Sequence, residues 1–535
     1  IEEVVATGSY VPDTSFATER QSESVLDVMT AEEISIAGDS DAAEALRRVT
    51  GVTVQDDVVF VRGLGDRYSA TRFNGAELPS PDPTRRSIGL DIFPTDLIGG
   101  ITVQKTYSAD QPGDFSGGAV QLETRDIPEE FTAKFGVSTG GNSQSTFQDG
   151  LTHRGGDTDF LGVDDGERDI PDVAAELTND GRRQLGDLSA AENEQVAESL
   201  PNNYDLRGID MPADTGIKFS AGGRTPIAGA DVGVSFAGFY DQEWRFREEE
   251  RGEVRANQTL GDFSDLQRTE NKIDTGMLLN STADLDANNS LEFVSLLSRK
   301  SNKRTFFEEG FNRSDDQEFR RTLFEWEENQ LLSNQISGTH TLPSLNASTL
   351  NWQAVYSDAQ RDELDTREVI FSRPAGADLP FTLASGPGQA GLPPSRAWEF
   401  LDDETVDLGT DLTIPTRFFE GSLAGEWKTG FRATLRDRDF RTVRWRFNLT
   451  PGGARDSILN QEFGFPSVEG ILTPDNIGEN GFNLVNANTA LRGGQNADNY
   501  QAEQDLFAGF LMGDFDIGND YRVQAGLRIE DSDIS

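Results

Sequence analysis

Residues 425–447, GEWKTGFRATLRDRDFRTVRWRF, alternate in character at every step. Arg436, Arg438, Arg444 and Arg446 share one parity, and Val443, Trp445 and Phe447 take the other. A period of two, with one charged and one apolar face, describes a strand lying between two different surroundings. The same texture begins after Pro128 with Phe131, Ala133, Phe135 and Val137. It returns at about 216–223, 230–246, 274–285, 289–306, 319–340, 348–360, 403–414, 499–516 and 521–531, which predicts about 11 strands. The connections Gly222–Ala230, Asp286–Asn289, Pro343–Ala347, Pro415–Ser422 and Ile517–Asp520 are short and rich in turn residues. Residues 141–215, 247–273, 361–402 and 448–498 are long, polar and acidic, with a more modest connection at 307–318. Tight turns alternating with long loops is the asymmetry of an outer-membrane β-barrel. A solenoid or propeller would show a repeating period, and the sequence has none.

The bulk composition agrees. The chain has 535 residues, enough for more than one domain, and its 93 acidic against 47 basic residues give a net charge of -46. That charge repels nucleic-acid phosphates, so nucleic-acid binding is not expected. With 34 Phe and 54 Gly, the chain differs from a disordered acidic polymer. It contains no Cys, which removes disulfides, thiolate metal sites and cysteine nucleophiles and is compatible with a periplasmic or surface setting. No apolar run reaches the roughly 18 residues a membrane helix needs, whereas a barrel strand needs only about 10 alternating residues. The opening at Ile1, without Met or a leader, reads as a mature or trimmed product.

Residues 24–125 read differently, as a small mixed α/β domain. Thr30 and Glu33 fit a capping box and Gly38 a helix stop, predicting a short helix at 31–37. A second helix is predicted from about Asp41 to Thr50, with Arg47 and Arg48 in its last turn and Gly51 just beyond. Val52–Val54, Val58–Arg62, Ile101–Gln104 and Ala119–Glu123 read as strands. Gly63-Leu-Gly65 is followed by Asp66 rather than by a helix, so it suits a tight turn and not a dinucleotide cradle.

The ordered motifs Ala45–Val52, Val61–Tyr68, Phe73–Ala76, Asp96–Ile98 and Gly117–Val120 resemble the plug domain of TonB-dependent outer-membrane receptors. Leu78–Pro83 and Lys105–Phe115 resemble a large-plug subgroup, and Phe507–Met512 and Val523–Arg528 resemble its barrel strands. Carried onto this sequence, the plug motif comprises Arg62, Gly63, Gly65, Asp66, Arg67, Tyr68, Asn74 and Gly75. The energy-coupling TonB box resembles Glu3, Val4, Val5, Ala6, Thr7 and Gly8. An extended, β-branched terminal segment suits strand addition to a partner's sheet edge; without a plug behind it, the run would read as a frayed terminal strand.

The resemblance implies a TonB box and linker at 1–22, a plug at 23–128 and a partial barrel at 129–535. The fold expected is a small α/β plug inside an antiparallel transmembrane β-barrel, 22-stranded in the family. About 11 strands are expected here, and the chain looks truncated because bare edges in lipid are costly. The implied function is active import across the bacterial outer membrane of a siderophore, carbohydrate or other nutrient. Its partners would be TonB with the ExbB/ExbD motor, the extracellular ligand and outer-membrane lipid; no cofactor and no enzymatic activity are expected. A surface-binding or export component on the same scaffold is the alternative, and a soluble β-rich adhesion protein a third.

Among side chains, Arg436, Arg438, Arg444 and Arg446 are candidates for a lumen face that attracts an anionic ligand, against a plainer role in ion pairs with neighbouring strands or the plug. Asp157, Asp159, Asp164, Asp165, Glu167 and Asp169 could ligate calcium, but their spacing fits no 12-residue loop and reads as a solvated surface. His153 and His340 are the only histidines and are far apart, so neither a zinc cluster nor a nucleophilic triad is expected. Trp352, Tyr356, Trp427 and Tyr521 are candidate interface anchors.

Overall fold

The structure, a computed structural model, describes residues 25–535 except 40, 56–57, 65–67, 114, 256–257, 314–315, 384–393, 419–422, 450–467, 479–480, 488–498 and 518–520. Its first part is built from local signals. After β1 (Leu26–Thr30), α1 (Ala31–Ala37) starts on a capping box in which Thr30 and Glu33 satisfy each other's backbone amides, and it stops at Gly38 with φ 77°. The second helix, α2 (Ala42–Leu46), is capped by Asp41, whose Oδ1 accepts from Glu44 N at 2.8 Å. It is shorter than its sequence suggests: residues 47–50 continue only as i→i+3 turns before Gly51 turns at φ 73°. Ala42, Ala43, Ala45 and Leu46 are buried, so the helix is held by its packed face.

Strands β2 (Val52–Gln55) and β3 (Val58–Val61) form a hairpin. Strands β4 (Ser69–Phe73), β5 (Ala76–Glu77), β6 (Ile98–Gln104) and β7 (Gly118–Thr124) join β1 in a five-stranded sheet of order β1-β6-β7-β4-β5. The turn between β4 and β5 is Asn74-Gly75, with φ 48° and 85°, the left-handed pair that a two-residue hairpin requires.

The second part is a thirteen-stranded antiparallel sheet. Its path runs from β8 (Thr132–Gly140) through β11 (Asp214–Ile227), β12 (Ala230–Arg255), β13 (Gln258–Asp286) and β14 (Asn289–Asn312). It continues through β15 (Gln317–Leu342), β16 (Ser348–Pro374), β18 (Ser395–Phe418), β19 (Leu423–Leu449), β21 (Tyr500–Ile517) and β22 (Tyr521–Ile534). Short β17 (Thr382–Leu383) and β20 (Phe482–Asn486) pair off this path. With β9 (Asp149–His153) and β10 (Leu206–Asp210), a separate pair, the described residues hold 22 strands, seven of them in the first domain; the about 11 predicted after Pro128 stand beside the eleven strands of the main sheet path and the four short ones β9, β10, β17 and β20. Among the described residues no pairing joins β8 to β22, so the sheet is open.

The strands are much longer than expected. Within residues 247–273, read from sequence as a loop, 247–255 and 258–273 are the paired ends of β12 and β13, and much of 361–402 belongs to β16 and β18. Both ends carry charge on both faces, as at Glu248, Glu249 and Glu250, which erases the apolar half of the period-two signal. The long connection 141–213 is also structured, with α3 (Asp172–Thr178) and α4 (Ala190–Ser199) between β9 and β10.

Side-chain parity separates two layers on the two faces of the sheet. On β14, Ser298 and Lys300 meet the first domain, whereas Ser301 Oγ donates to Gly162 O at 2.6 Å and Lys303 pairs with Asp159 at 2.8 Å. On β18, Asp403 meets the first domain and Trp398 donates to Arg168 O at 2.8 Å. The two residues are an odd number of steps apart and therefore point oppositely. In β16 a bulge between Glu363 and Thr366, with Asp365 at φ 51°, shifts this parity by one. One core thus joins Leu46, Phe73, Ile92 and Val120 to Phe239, Leu278, Val294 and Leu331. The other joins Leu185, Val196 and Tyr204 to Trp326, Trp398 and Trp445. The rest of that second face leaves Met277, Phe293, Leu297, Phe431, Leu435 and Leu511 exposed.

Candidate functional site

The site lies where two segments of the first domain approach the sheet. In residues 78–86 the Asp82 carboxylate caps its own turn, accepting from Thr84 N at 2.8 Å and Thr84 Oγ1 at 2.7 Å, while Ser80 Oγ donates to Ser87 O at 3.0 Å. The segment is then tied to the wall. Asp403 Oδ2 accepts from Ser80 N at 3.0 Å, and the same carboxylate receives Arg436 Nε at 2.7 Å and Arg438 Nη1 at 3.3 Å. Arg438 also donates to the carbonyls of Asp82 and Arg85, and Tyr500 Oη donates to Pro83 O at 2.6 Å.

The second segment is the short turn Leu90–Ile92. Ser298 Oγ donates to Ile92 O at 2.6 Å, and Lys300 Nζ lies 2.7 Å from Asp91 and 3.7 Å from Asp274. Further along the seam, Gln335 Nε2 donates to Phe73 O at 3.2 Å, Lys428 Nζ lies 2.8 Å from Asp110, and Gly113 N donates to Glu530 Oε1 at 3.0 Å. Burial pushes the Asp110 carboxyl up, but Lys428 and the Ser108 hydroxyl outweigh it and hold the group below the ordinary carboxylate range.

Between these attachments is a cavity of about 510 Å³. Pro81–Thr84, Gly89, Asp91 and Ile92 form one side. Lys272, Asp274, Lys300, Asn302, Glu327 and Arg361 dominate the other. A second cavity of about 390 Å³ shares Asp91, Lys272 and Asp274 and continues along the seam toward Asp41. The chemistry offered is binding: donors, acceptors and compensated charges.

Residues 18–120 match the family model described as the TonB-dependent Receptor Plug Domain. The chain carries a TonB-dependent receptor plug. The five-stranded domain bonded to one face of a large antiparallel sheet is therefore the plug-like body of the chain, with that sheet as its wall. No curated protein matches the chain. Among solved structures it is similar to the ferric citrate transporter FecA in its unliganded form, with 11% identity over 97% of this chain and 75% of that one, at a TM-score of 0.29. It is similar to the ferric-catecholate import receptor Fiu of E. coli K12, with 11% identity over 96% and 80% and a TM-score of 0.33. It is also similar to the siderophore receptor PiuA of Acinetobacter baumannii, with 9% identity over 95% and 79% and a TM-score of 0.31. Scores this low leave the plug match and the plug-to-wall geometry as the basis of the identification.

The residues expected to matter fall into three groups. Glu3, Val4, Val5, Ala6, Thr7 and Gly8 lie outside the described residues, as do Gly65, Asp66 and Arg67. Arg62 and Gly63 form a turn with φ 56° and 74°, and Tyr68 O accepts from Ser116 N and Gly117 N. Asn74 Oδ1 accepts from Thr124 N at 3.0 Å, tying the hairpin turn to β7. Arg436 and Arg438 are committed to Asp403 and the plug, and Arg444 pairs with Glu399. Arg446 is half-buried on the same parity. Asp159 and Asp164 of the acidic cluster hold the buried Arg168 instead of facing solvent.

Asp403, Lys300, Asp91 and Tyr500 were not legible as a site. Each is an ordinary polar residue of an alternating strand or turn, and its partner is more than 200 positions away for Lys300 and more than 300 for Asp403.

Proposed function

We propose that this chain imports a ligand across the bacterial outer membrane, powered by TonB. The observation that carries the reading is the apex cavity: its plug side is made by residues 81–92 and its wall side by β13–β16, so a ligand there touches both bodies at once. Ligand binding then bears on the bonds that hold the plug, and a pull on the chain upstream of Leu26 bears on the same domain. In this reading TonB, driven by ExbB and ExbD, adds as a strand to Glu3–Gly8. The apolar face with Met277, Phe293, Leu297, Phe431, Leu435 and Leu511 lies against lipid. The free edges of β8 and β22 require further strands for closure, because unpaired backbone groups in lipid each cost several kcal/mol. In this reading 1–22 are the TonB box and linker, 23–128 the plug and 129–535 a partial barrel, a division supported by the change from the five-stranded sheet to the thirteen-stranded one.

The test is deletion of residues 3–8 in the full-length receptor. Energised accumulation of ligand is expected to fall to background while equilibrium binding to cells is unchanged. Accumulation that survives the deletion sinks the reading.

A further inference from the structure

The connection between β8 and β11 packs on the wall face that points away from the plug, and on three neighbouring strands its near edge meets the exposed apolar zone at one level. On β12 Phe236 is exposed, and Tyr240, four residues on and on the same face by parity, donates its Oη to Phe160 O at 2.6 Å. On β14 Leu297 is exposed, and Ser301, again four residues on, donates to Gly162 O at 2.6 Å. On β13, which runs the other way, Met277 is exposed and Ile273 packs against Gly162. Four residues of strand span about 13 Å. An apolar band about 25 Å tall, crossed by strands tilted about 40°, occupies about ten residues of each strand. Counted from Leu291, beside the turn that opens β14, such a band ends at Ser301. The near edge of the layer therefore falls where the hydrocarbon of a leaflet gives way to its headgroups.

This edge is itself apolar. The turn Asp159–Leu161 and the residues after it leave Phe160 59%, Leu161 45% and Val163 37% exposed. The carboxylates interleaved with them are already engaged. Asp159 and Asp164 hold Arg168, Lys303 also lies on Asp159, and Asp165 accepts the amides of Asp157 and Glu167. Three large apolar side chains within four positions gain nothing from water, whereas a lipid surface continuous with the zone below removes them from it.

We infer that residues 160–163 are an interfacial anchor, with Phe160, Leu161 and Val163 set into the outer leaflet at the level of the lipid headgroups; this rests on reading the exposed apolar zone of the wall as lipid-facing. Tyr240, its ring on the wall and its hydroxyl bonded to the anchor, stands where interfacial aromatic residues gather. The 149–210 layer is thereby held from two sides, by the wall and by the membrane surface.

The chain contains no Cys, so an introduced cysteine is a unique labelling site within it. A nitroxide on Leu161→Cys, in the full-length receptor reconstituted into phosphatidylethanolamine–phosphatidylglycerol vesicles, is read by its collisions with oxygen, which concentrates in lipid, and with a water-soluble nickel chelate. Leu435→Cys in the apolar zone and Leu379→Cys, 54% exposed beyond the far end of β16, are the lipid and water references. The ratio of oxygen to nickel collisions at 161 is expected to lie severalfold above that at 379 and toward that at 435. Val163→Cys repeats the measurement should Leu161→Cys fail to fold, with the same outcome expected. A ratio at 161 equal to that at 379, with 435 still lipid-like, overturns the anchor and leaves the lipid-facing wall standing. A label at 161 that neither reagent reaches marks burial against protein and overturns the anchor as well. A water-like ratio at both 161 and 435 overturns the lipid-facing reading of the wall, and the anchor with it.

Discussion

Asp403 shows how much one side chain decides. Its side chain is fully buried, it takes two guanidinium groups, and it accepts the Ser80 amide of the plug, so its charge is balanced on the wall while one bond crosses the seam. Removing it leaves Arg436 and Arg438, only 8% and 11% exposed, as buried cations without their counter-charge. Breaking one partner of such a network costs about 3–5 kcal/mol. Asp403→Ala is expected to lower the receptor's unfolding free energy by that order and to speed amide exchange at Ser80. Unchanged exchange there would show that the strap is not what holds residues 78–86. The sequence announced only that Arg436 and Arg438 share a face. It could not say that a carboxylate some 33 residues earlier and a plug loop would both converge on them.

At the scale of elements, what was legible depended on how local the cause is. The capping box of α1 and its Gly38 stop are made within a few residues, and each formed where the residue types called for it. The connection 141–213 was opaque because its two helices gain their order from contact with distant strands. His153 illustrates this: its Nδ1 lies 2.8 Å from Thr305 Oγ1 and its ring 4.8 Å from that of Phe324. Burial pushes the imidazole well below its ordinary value, and the nearby Arg367, Lys303 and Arg168 add to the depression. The folded form is therefore neutral, whereas the detached form takes a proton below a pH of about 6.5. Stability of this layer is full above that pH and declines as pH falls toward the lower folded value. Protease protection of residues 149–210 is expected to weaken from pH 7 to 5, and His153→Asn is expected to flatten the dependence. A parallel decline in the variant would assign the effect to other groups.

At the scale of the whole molecule, the sheet has one face for the plug and another divided between the 149–210 layer and an exposed apolar zone. Leu435 lies in that zone, 39% exposed. If lipid covers it, Leu435→Arg carries the cost of a charge on the lipid face, about 2–4 kcal/mol near the midplane, whereas Leu285→Arg at a strand end next to a turn carries almost none. Folding titrations of the full-length receptor into vesicles measure both; equal effects would remove the lipid-facing assignment.

By itself the sequence determined the alternation that makes a two-faced sheet, the caps and turns of the plug, and the motifs that identify it, because these depend on neighbours within a few positions. Only the tertiary structure decided how far the strands run, which face the plug occupies, and which polar residues meet across the seam. The physical reason is that a charged side chain carries the same local signal whether it ends in solvent or in an ion pair; its meaning comes from a partner that the chain brings near only by folding.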